Sequence, residues 1–206
     1  MILQVIGSSL RFIALVHNKR FDDALNLIAE ITTQHHPILL SVIFHACAQS
    51  ESQRALEIGR RFLENLPQSY SNVIVLTAAI NMFASCGDLT TAEKIFNCMK
   101  VKDTAAYNSM IKCYNRNDEP TKSFEIFEQL LQSKITPNQI TFLLMINACA
   151  KIGMIACCHN IVSRLPPSLL KIKSIQNVLI DMWASLSFCS STKLNRCYLG
   201  QSWFSR

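Results

Sequence analysis

Apolar residues recur along this chain with a helical period that is broken at short intervals. The clearest stretch runs from Thr104 to Asn138. Tyr107, Met110, Ile111 and Tyr114 fall at i, i+3, i+4 and i+7, which is one face of a helix. Asp103 and Thr104 are residue types that cap such a start. Asn115 to Asp118 interrupts the pattern, and Pro120 stands where the first turn of a second helix accepts it. Phe124, Phe127 and Leu131 predict the apolar face of that second helix. Thr136-Pro137-Asn138 ends it, because the residue before a proline is driven out of helical geometry. Two helices this short cannot bury their apolar faces alone, so the unit requires neighbours of its own kind.

Those neighbours are present in the sequence. Residues 73–103 carry INMFASCGDLTTAEKIFNCM, an apolar helix, a turn at Gly87 and a second helix. Residues 139–172 carry TFLLMINACAKIGMI and residues 37–72 carry LSVIFHACAQS; Ala-Cys-Ala at 46–48 and 148–150 sets these two in register. Residues 5–36 read the same way, with Phe21-Asp-Asp-Ala24-Leu opening the second helix. SIQNVLIDMWAS at 174–185 matches the start of the 73–103 unit and begins an incomplete sixth, 173–185. Ala24, Ala92 and Ser123 hold one place in the second helices, where a small side chain lets two helices approach closely. The predicted fold is all-α: a right-handed α-solenoid of helix–turn–helix repeats over residues 5–185, followed by an irregular tail, 186–206.

The stretches AYNSMI…SFEIFEQLLQSKITPN, ITFLLMINACAKIG and AINMFASCGDLTTAEKIFNCMKVKD resemble pentatricopeptide repeats of standard, long and short kind. The resemblance covers residues 5–185 and is most specific over 73–152. It implies a sequence-selective binder of single-stranded RNA in organellar RNA processing, editing or stability. It further implies that one base is read per repeat by two side chains, one early in the first helix and one at the end of the repeat. On this chain those are Asn108 with Asn138, Thr77 with Asp103, and Ser41 with Asn72. Leu143 at the matching place cannot hydrogen-bond, and Asn177 is usable but lacks its second member. The same terminal residues also read as plain turn and cap residues. A protein-binding scaffold of the tetratricopeptide kind is the competing class, but its W-x-x-L-G-x-x-Y pattern is missing.

Composition sharpens this picture in three places. The net charge of +6 is carried wholly by residues 139–206, which hold seven Lys/Arg against one acid, Asp181. A basic half is compatible with a polyanionic partner, or with an ordinary basic tail. Nine cysteines occur without any C-x-x-C, so zinc-finger spacing is absent and no metal or other cofactor is expected. Cys157-Cys158-His159 is the one dense cluster, and adjacent helical residues point in different directions. Cysteines inside apolar helix patterns behave as small hydrophobes and suit a reducing, intracellular compartment. Residues 1–20 have no acid and carry Arg11, Lys19 and Arg20, which suits a mitochondrial presequence as well as a first repeat helix. The family resemblance favours the mitochondrion over the cytoplasm.

Chemistry for catalysis is missing from the sequence. It has no phosphate loop, no G-x-S-x-G and no H-E-x-x-H. No histidine is followed two residues later by Glu, which excludes the H-x-E signature of a cytidine deaminase from these residues. Neither an enzyme, a membrane span nor a small-molecule substrate is expected. Because the sixth unit lacks a second helix, Val178, Leu179, Met182 and Trp183 are expected to face no partner layer. That predicts self-association or a protein partner at the C-terminal end.

Overall fold

The computed structural model of the chain describes residues 2–28, 37–67 and 70–189. All regular structure among them is helical. The helices are α1 (Ile2–His17), α2 (Phe21–Leu27), α3 (Pro37–Ser50), α4 (Gln53–Glu64), α5 (Val73–Ser85) and α6 (Leu89–Cys98). They continue as α7 (Thr104–Arg116), α8 (Pro120–Gln132), α9 (Gln139–Ile152), α10 (Ile155–Ser163), α11 (Pro167–Leu170) and α12 (Lys173–Cys189). The chain divides into two compact units, Met1–Asp118 and Glu119–Arg206.

In the first unit the repeat logic is explicit. The first helices α3, α5 and α7 pack side by side, and each second helix lies against its own first helix and the next one. Thus α4 touches α3 and α5, and α6 touches α5 and α7. The core between the layers holds Phe44, Phe83, Phe96, Leu40, Ile80 and Met82, all fully buried. Phe96 meets Tyr107 edge-on at 5.3 Å between ring centroids, joining α6 to α7. In the second unit α9 is the centre, flanked by α8, α10 and α12. Phe127 and Phe142 meet edge-on at 6.1 Å.

Local chemistry sets the helix ends. Ser52, Asn72, Asp88, Asp103 and Asn138 are N-caps whose side-chain oxygens accept the N–H of the third helical residue. The turn inside each repeat uses a left-handed residue: Lys19 (φ 59°), Glu51 (φ 49°), Gly87 (φ 79°), Asp118 (φ 58°) and Gly153 (φ 70°). From Glu51 onward, each follows the start of its first helix by the same number of residues. The sequence displays this turn only where glycine fills it, at Gly87 and Gly153.

The small-residue position behaves as expected: Ala24, Ala92 and Ser123 are fully buried. Four features differ from the sequence expectation. In α8 the buried face is Ser123, Ile126, Phe127 and Leu130, with Phe124 and Leu131 half-buried at its edge. Close packing at Ser123 centres the face there, one residue before the face drawn through the two bulkiest side chains. The sixth unit is not bare: Ile175, Leu179 and Met182 are buried along α12, which packs on α9. Trp183 is half-buried, with its ring 5.5 Å from that of His159. The expected lack of a partner layer is therefore wrong for Leu179 and Met182, because the preceding first helix, α9, packs on α12 as first helices do elsewhere in the array. The helix also runs to Cys189, so residues 186–189 are not irregular tail; residues 190–206 lie outside the described residues. Finally, the single turn α11 precedes α12 and was not foreseen; Pro167 opens it.

Candidate functional site

The residues singled out from the sequence fall into two series fixed by helix geometry. First helices begin at 37, 73, 104, 139 and 173, spaced by 36, 31, 35 and 34 residues. Ser41, Thr77, Asn108, Leu143 and Asn177 are each the fifth residue of their helix. Ser41, Thr77 and Leu143 are half-buried, Asn177 is exposed, and Asn108 is buried, with 7 % of its surface accessible. The second series, Asn72, Asp103 and Asn138, supplies the N-caps of α5, α7 and α9. Ser41 and Asn72 therefore sit on the adjacent helices α3 and α5, and Thr77 and Asp103 on α5 and α7. Asn108 belongs to the first unit and Asn138 to the second.

The hydrogen bonding of these side chains leaves specific polar capacity. Asn72 Oδ1 accepts from Val75 N at 3.2 Å, and its amide hydrogens remain available to donate. Asp103 Oδ1 accepts from Ala106 N at 2.8 Å, leaving its second carboxylate oxygen as an acceptor. Asn138 is held in a capping box with Thr141, at 3.0 and 3.1 Å. Ser41 Oγ donates to Ile38 O at 2.8 Å. Thr77 Oγ1 is buried and makes no hydrogen bond, an energetically costly state for a hydroxyl. At Asn72 and Asp103 capping and recognition are compatible, since the cap uses one oxygen of each side chain.

Two features of this surface were missed in the sequence. Ile38, Ile74 and Ile140 are 66 %, 71 % and 57 % exposed, and each is the second residue of its first helix. That places them three residues before Ser41, Thr77 and Leu143, on the same helical face. The other feature is Asn81, one turn beyond Thr77, whose Nδ2 donates to Thr77 O at 3.1 Å and to Ser109 Oγ at 2.9 Å. Further along the same face, His45, Lys112, Asn147 and Asp181 are exposed.

Other chemistry does not gather at this surface. Among the described residues no group of three or more His, Cys, Asp or Glu could hold a metal ion. No described helix is long and apolar enough to cross a membrane. Burial, with Cys86 nearby, pushes the Cys47 thiol up to about 12. A hydrogen bond with Cys158, together with burial, pushes the Cys149 thiol up as well. Of the surface acids, Glu125 is exposed and Glu128 pairs with Arg164 at 2.5 Å.

Residues 74–103 match the family model of the PPR repeat, and residues 102–151 match that of the PPR repeat family. Residues 74–151 are pentatricopeptide repeats. A pentatricopeptide repeat-containing protein of Arabidopsis thaliana is 32 % identical over 140 residues, covering 65 % of this chain and 17 % of the relative. A chloroplastic one from the same plant is 32 % identical over 147 residues, 69 % of this chain and 18 % of the relative. A mitochondrial one is 30 % identical over 139 residues, 66 % of this chain and 21 % of the relative. The chain spans between 17 % and 34 % of the length of the first curated relatives it matches. Among solved structures, it superposes on the pentatricopeptide repeat domain of Arabidopsis thaliana protein-only RNase P 1, solved in complex with tRNA. There the TM-score is 0.64 at 14 % identity, covering 85 % of this chain and 96 % of that one. The pentatricopeptide repeat protein PPR10, solved with an 18-nt psaJ RNA element, gives a TM-score of 0.65 at 16 % identity, covering 91 % of this chain and 29 % of that one. At such identities these likenesses establish the fold: an all-α arrangement of helix–turn–helix repeats.

Proposed function

We propose that this pentatricopeptide repeat chain binds single-stranded RNA with sequence selectivity and acts in organellar RNA processing, editing or stability. The observation that carries the reading is the fifth-residue series. Ser41, Thr77, Asn108 and Asn177 recur at one helical place, and Asn72, Asp103 and Asn138 recur at the N-caps. In helical-repeat RNA binders two or three side chains per repeat read one base. Ile38 and Ile74, exposed one turn away, offer apolar contact to a base face. The RNA complexes of the two similar structures support the reading by analogy. The first-helix spacings of 36, 31, 35 and 34 support an alternation of long, short and standard repeats.

The family resemblance gives the implied target: Thr77 with Asp103 resembles the family's choice for guanine, and Ser41 with Asn72 its choice for adenine. Asp103 supplies a pure acceptor for the donor edge of guanine beside Thr77. Asn72 supplies an amide for the mixed edge of adenine beside Ser41. Asn108 and Asn138 are amides suited to a pyrimidine. The implied core is A-G-pyrimidine, 5′ to 3′. Leu143 contributes no base reading, and Asn177 has no second member among residues 173–189. The names of relatives divide between chloroplast and mitochondrion, so they favour an organelle without singling out the mitochondrion. A protein partner at the α12 end loses its main physical basis with the burial of Leu179 and Met182.

Titrating the chain into RNAs with and without this core, alongside a DNA of the same sequence, tests the reading. Preference for the RNA core, with affinity falling steeply with salt, supports it. Equal affinity for all RNAs and for DNA contradicts it.

A further inference from the structure

Asn81 stands apart from its equivalents in the other first helices. It is the ninth residue of α5, one turn after Thr77. Both amide hydrogens are committed, to Thr77 O at 3.1 Å and to Ser109 Oγ at 2.9 Å. Neither bond works with the amide reversed. Thr77 O can only accept, and Ser109 Oγ gives its own hydrogen to Ala105 O at 2.9 Å, so it must accept from Asn81. Ser109 is buried and directly follows Asn108. The chain of bonds therefore runs from the backbone of one proposed reader, Thr77, to the residue beside the next, Asn108.

This link belongs to one step of the repeat array. At the α3/α5 step the corresponding residues are His45 and Ala78, and at the α9/α12 step Asn147 and Val178. Ala78 and Val178 have no side-chain polar atom, so neither step can build the same bond.

We infer that Asn81 is a positioning residue for base selection: it fixes the spacing of Thr77 and Asn108, and with it the discrimination at two consecutive bases. The inference rests on the RNA-binding reading. Neighbouring first helices pack about 8–10 Å apart, so consecutive bases are splayed rather than stacked when each meets its own helix. A change in helix spacing then moves one reader relative to the other by a comparable amount. The Ser41 step lacks the link and serves as the internal control.

The test measures affinity for the A-G-pyrimidine RNA and for three RNAs with one core base replaced. Wild type is expected to show about a tenfold penalty at each replaced base. Asn81→Ala and Ser109→Ala are each expected to remove most of the penalty at the guanine and pyrimidine positions and to keep it at the adenine. The double variant should lose no more than either single one, since both break the same bond. Ser109→Thr keeps a hydroxyl and should retain wild-type discrimination. Loss of penalty at all three bases alike, or in none, overturns the inference while the RNA reading stands. A wild type with no penalty at any base overturns the RNA reading and this inference with it.

Discussion

Arg60 of α4 places Nη2 2.7 Å from Oδ2 of Asp88, the N-cap of α6, so one carboxylate both pins two neighbouring repeats and starts a helix. Burial alone would raise the Asp88 pKa. Hydrogen bonds from Arg60, from Thr91 and from Thr90 outweigh it and hold the group at about 2. An unfolded aspartate titrates near ~3.9. A carboxyl whose pKa is depressed by folding stabilises the protein above its unfolded value and loses that contribution as pH falls through the folded one. Asp88→Asn, which keeps a capping oxygen but no charge, should cost about 1–2 kcal/mol at pH 7. The gap between wild type and variant should close between pH ~4 and ~2. Thermal melts across that window check this; a gap that persists at pH 2 contradicts it.

Gly153 isolates the backbone cost of the turn inside a repeat. Its φ is +70°, and a Cβ built there meets nothing within 4 Å. Gly153→Ala should therefore destabilise by about 1–2 kcal/mol through left-handed strain alone. The converse holds at Lys134, exposed with φ 58°, where Lys134→Gly should not destabilise and should gain up to about 1 kcal/mol. Urea unfolding of both variants measures the two signs.

Gly59 marks a close approach of α4 to α5. A Cβ at this position would lie 2.0 Å from the Met82 methyl, and Met82 is fully buried. Alanine is otherwise favoured over glycine inside a helix by about 1 kcal/mol. Gly59→Ala should nonetheless destabilise, by about 1–2 kcal/mol, because overpacking exceeds the propensity gain. In a Met82→Ala background the same change should become stabilising. Failure of the sign to reverse in denaturant unfolding would show that Met82 is not the obstacle.

Thiol reactivity should follow burial. Cys98 is exposed, whereas Cys47 and Cys149 are buried with raised pKa values. Thiolate is the reactive form. Iodoacetamide at pH 8 followed by mass spectrometry should label Cys98 in the folded protein and reach Cys47 and Cys149 only after denaturation. Labelling of Cys47 at the rate of Cys98 would contradict the packing of α3.

The helices of the chain were legible in its sequence because their apolar faces repeat. Tyr107, Met110, Ile111 and Tyr114 are all buried, as their spacing implies. Caps were legible at Asp103 and Asn138, whereas those at Ser52 and Asp88 went unread. The face of α8 was misread because volume drew attention to Phe124, whereas the closest approach is made by Ser123. The cover over Leu179 and Met182 was overlooked because attention fell on the missing second helix, whereas the preceding first helix, α9, also packs on α12. The left-handed turns at Lys19, Glu51 and Asp118 were hidden by residues with no intrinsic preference for that geometry strong enough to signal it. Of the candidate site, its polar members could be read from position. Ile38, Ile74 and Asn81 could not, since exposure and the bond to Ser109 exist only in three dimensions.

Asp103 offers the most direct test of RNA reading, because its two roles separate. Asp103→Asn keeps a cap acceptor, and the fold with it, while replacing a pure acceptor with an amide. Guanine presents donors at N1 and N2, whereas adenine presents an acceptor at N1 and a donor at N6. Selection of bound RNAs from a random pool should recover A-G-pyrimidine with the wild type and A-A-pyrimidine with Asp103→Asn, at unchanged melting temperature. Recovery of the same pool by both proteins would contradict base reading at Asp103 and leave it a helix cap.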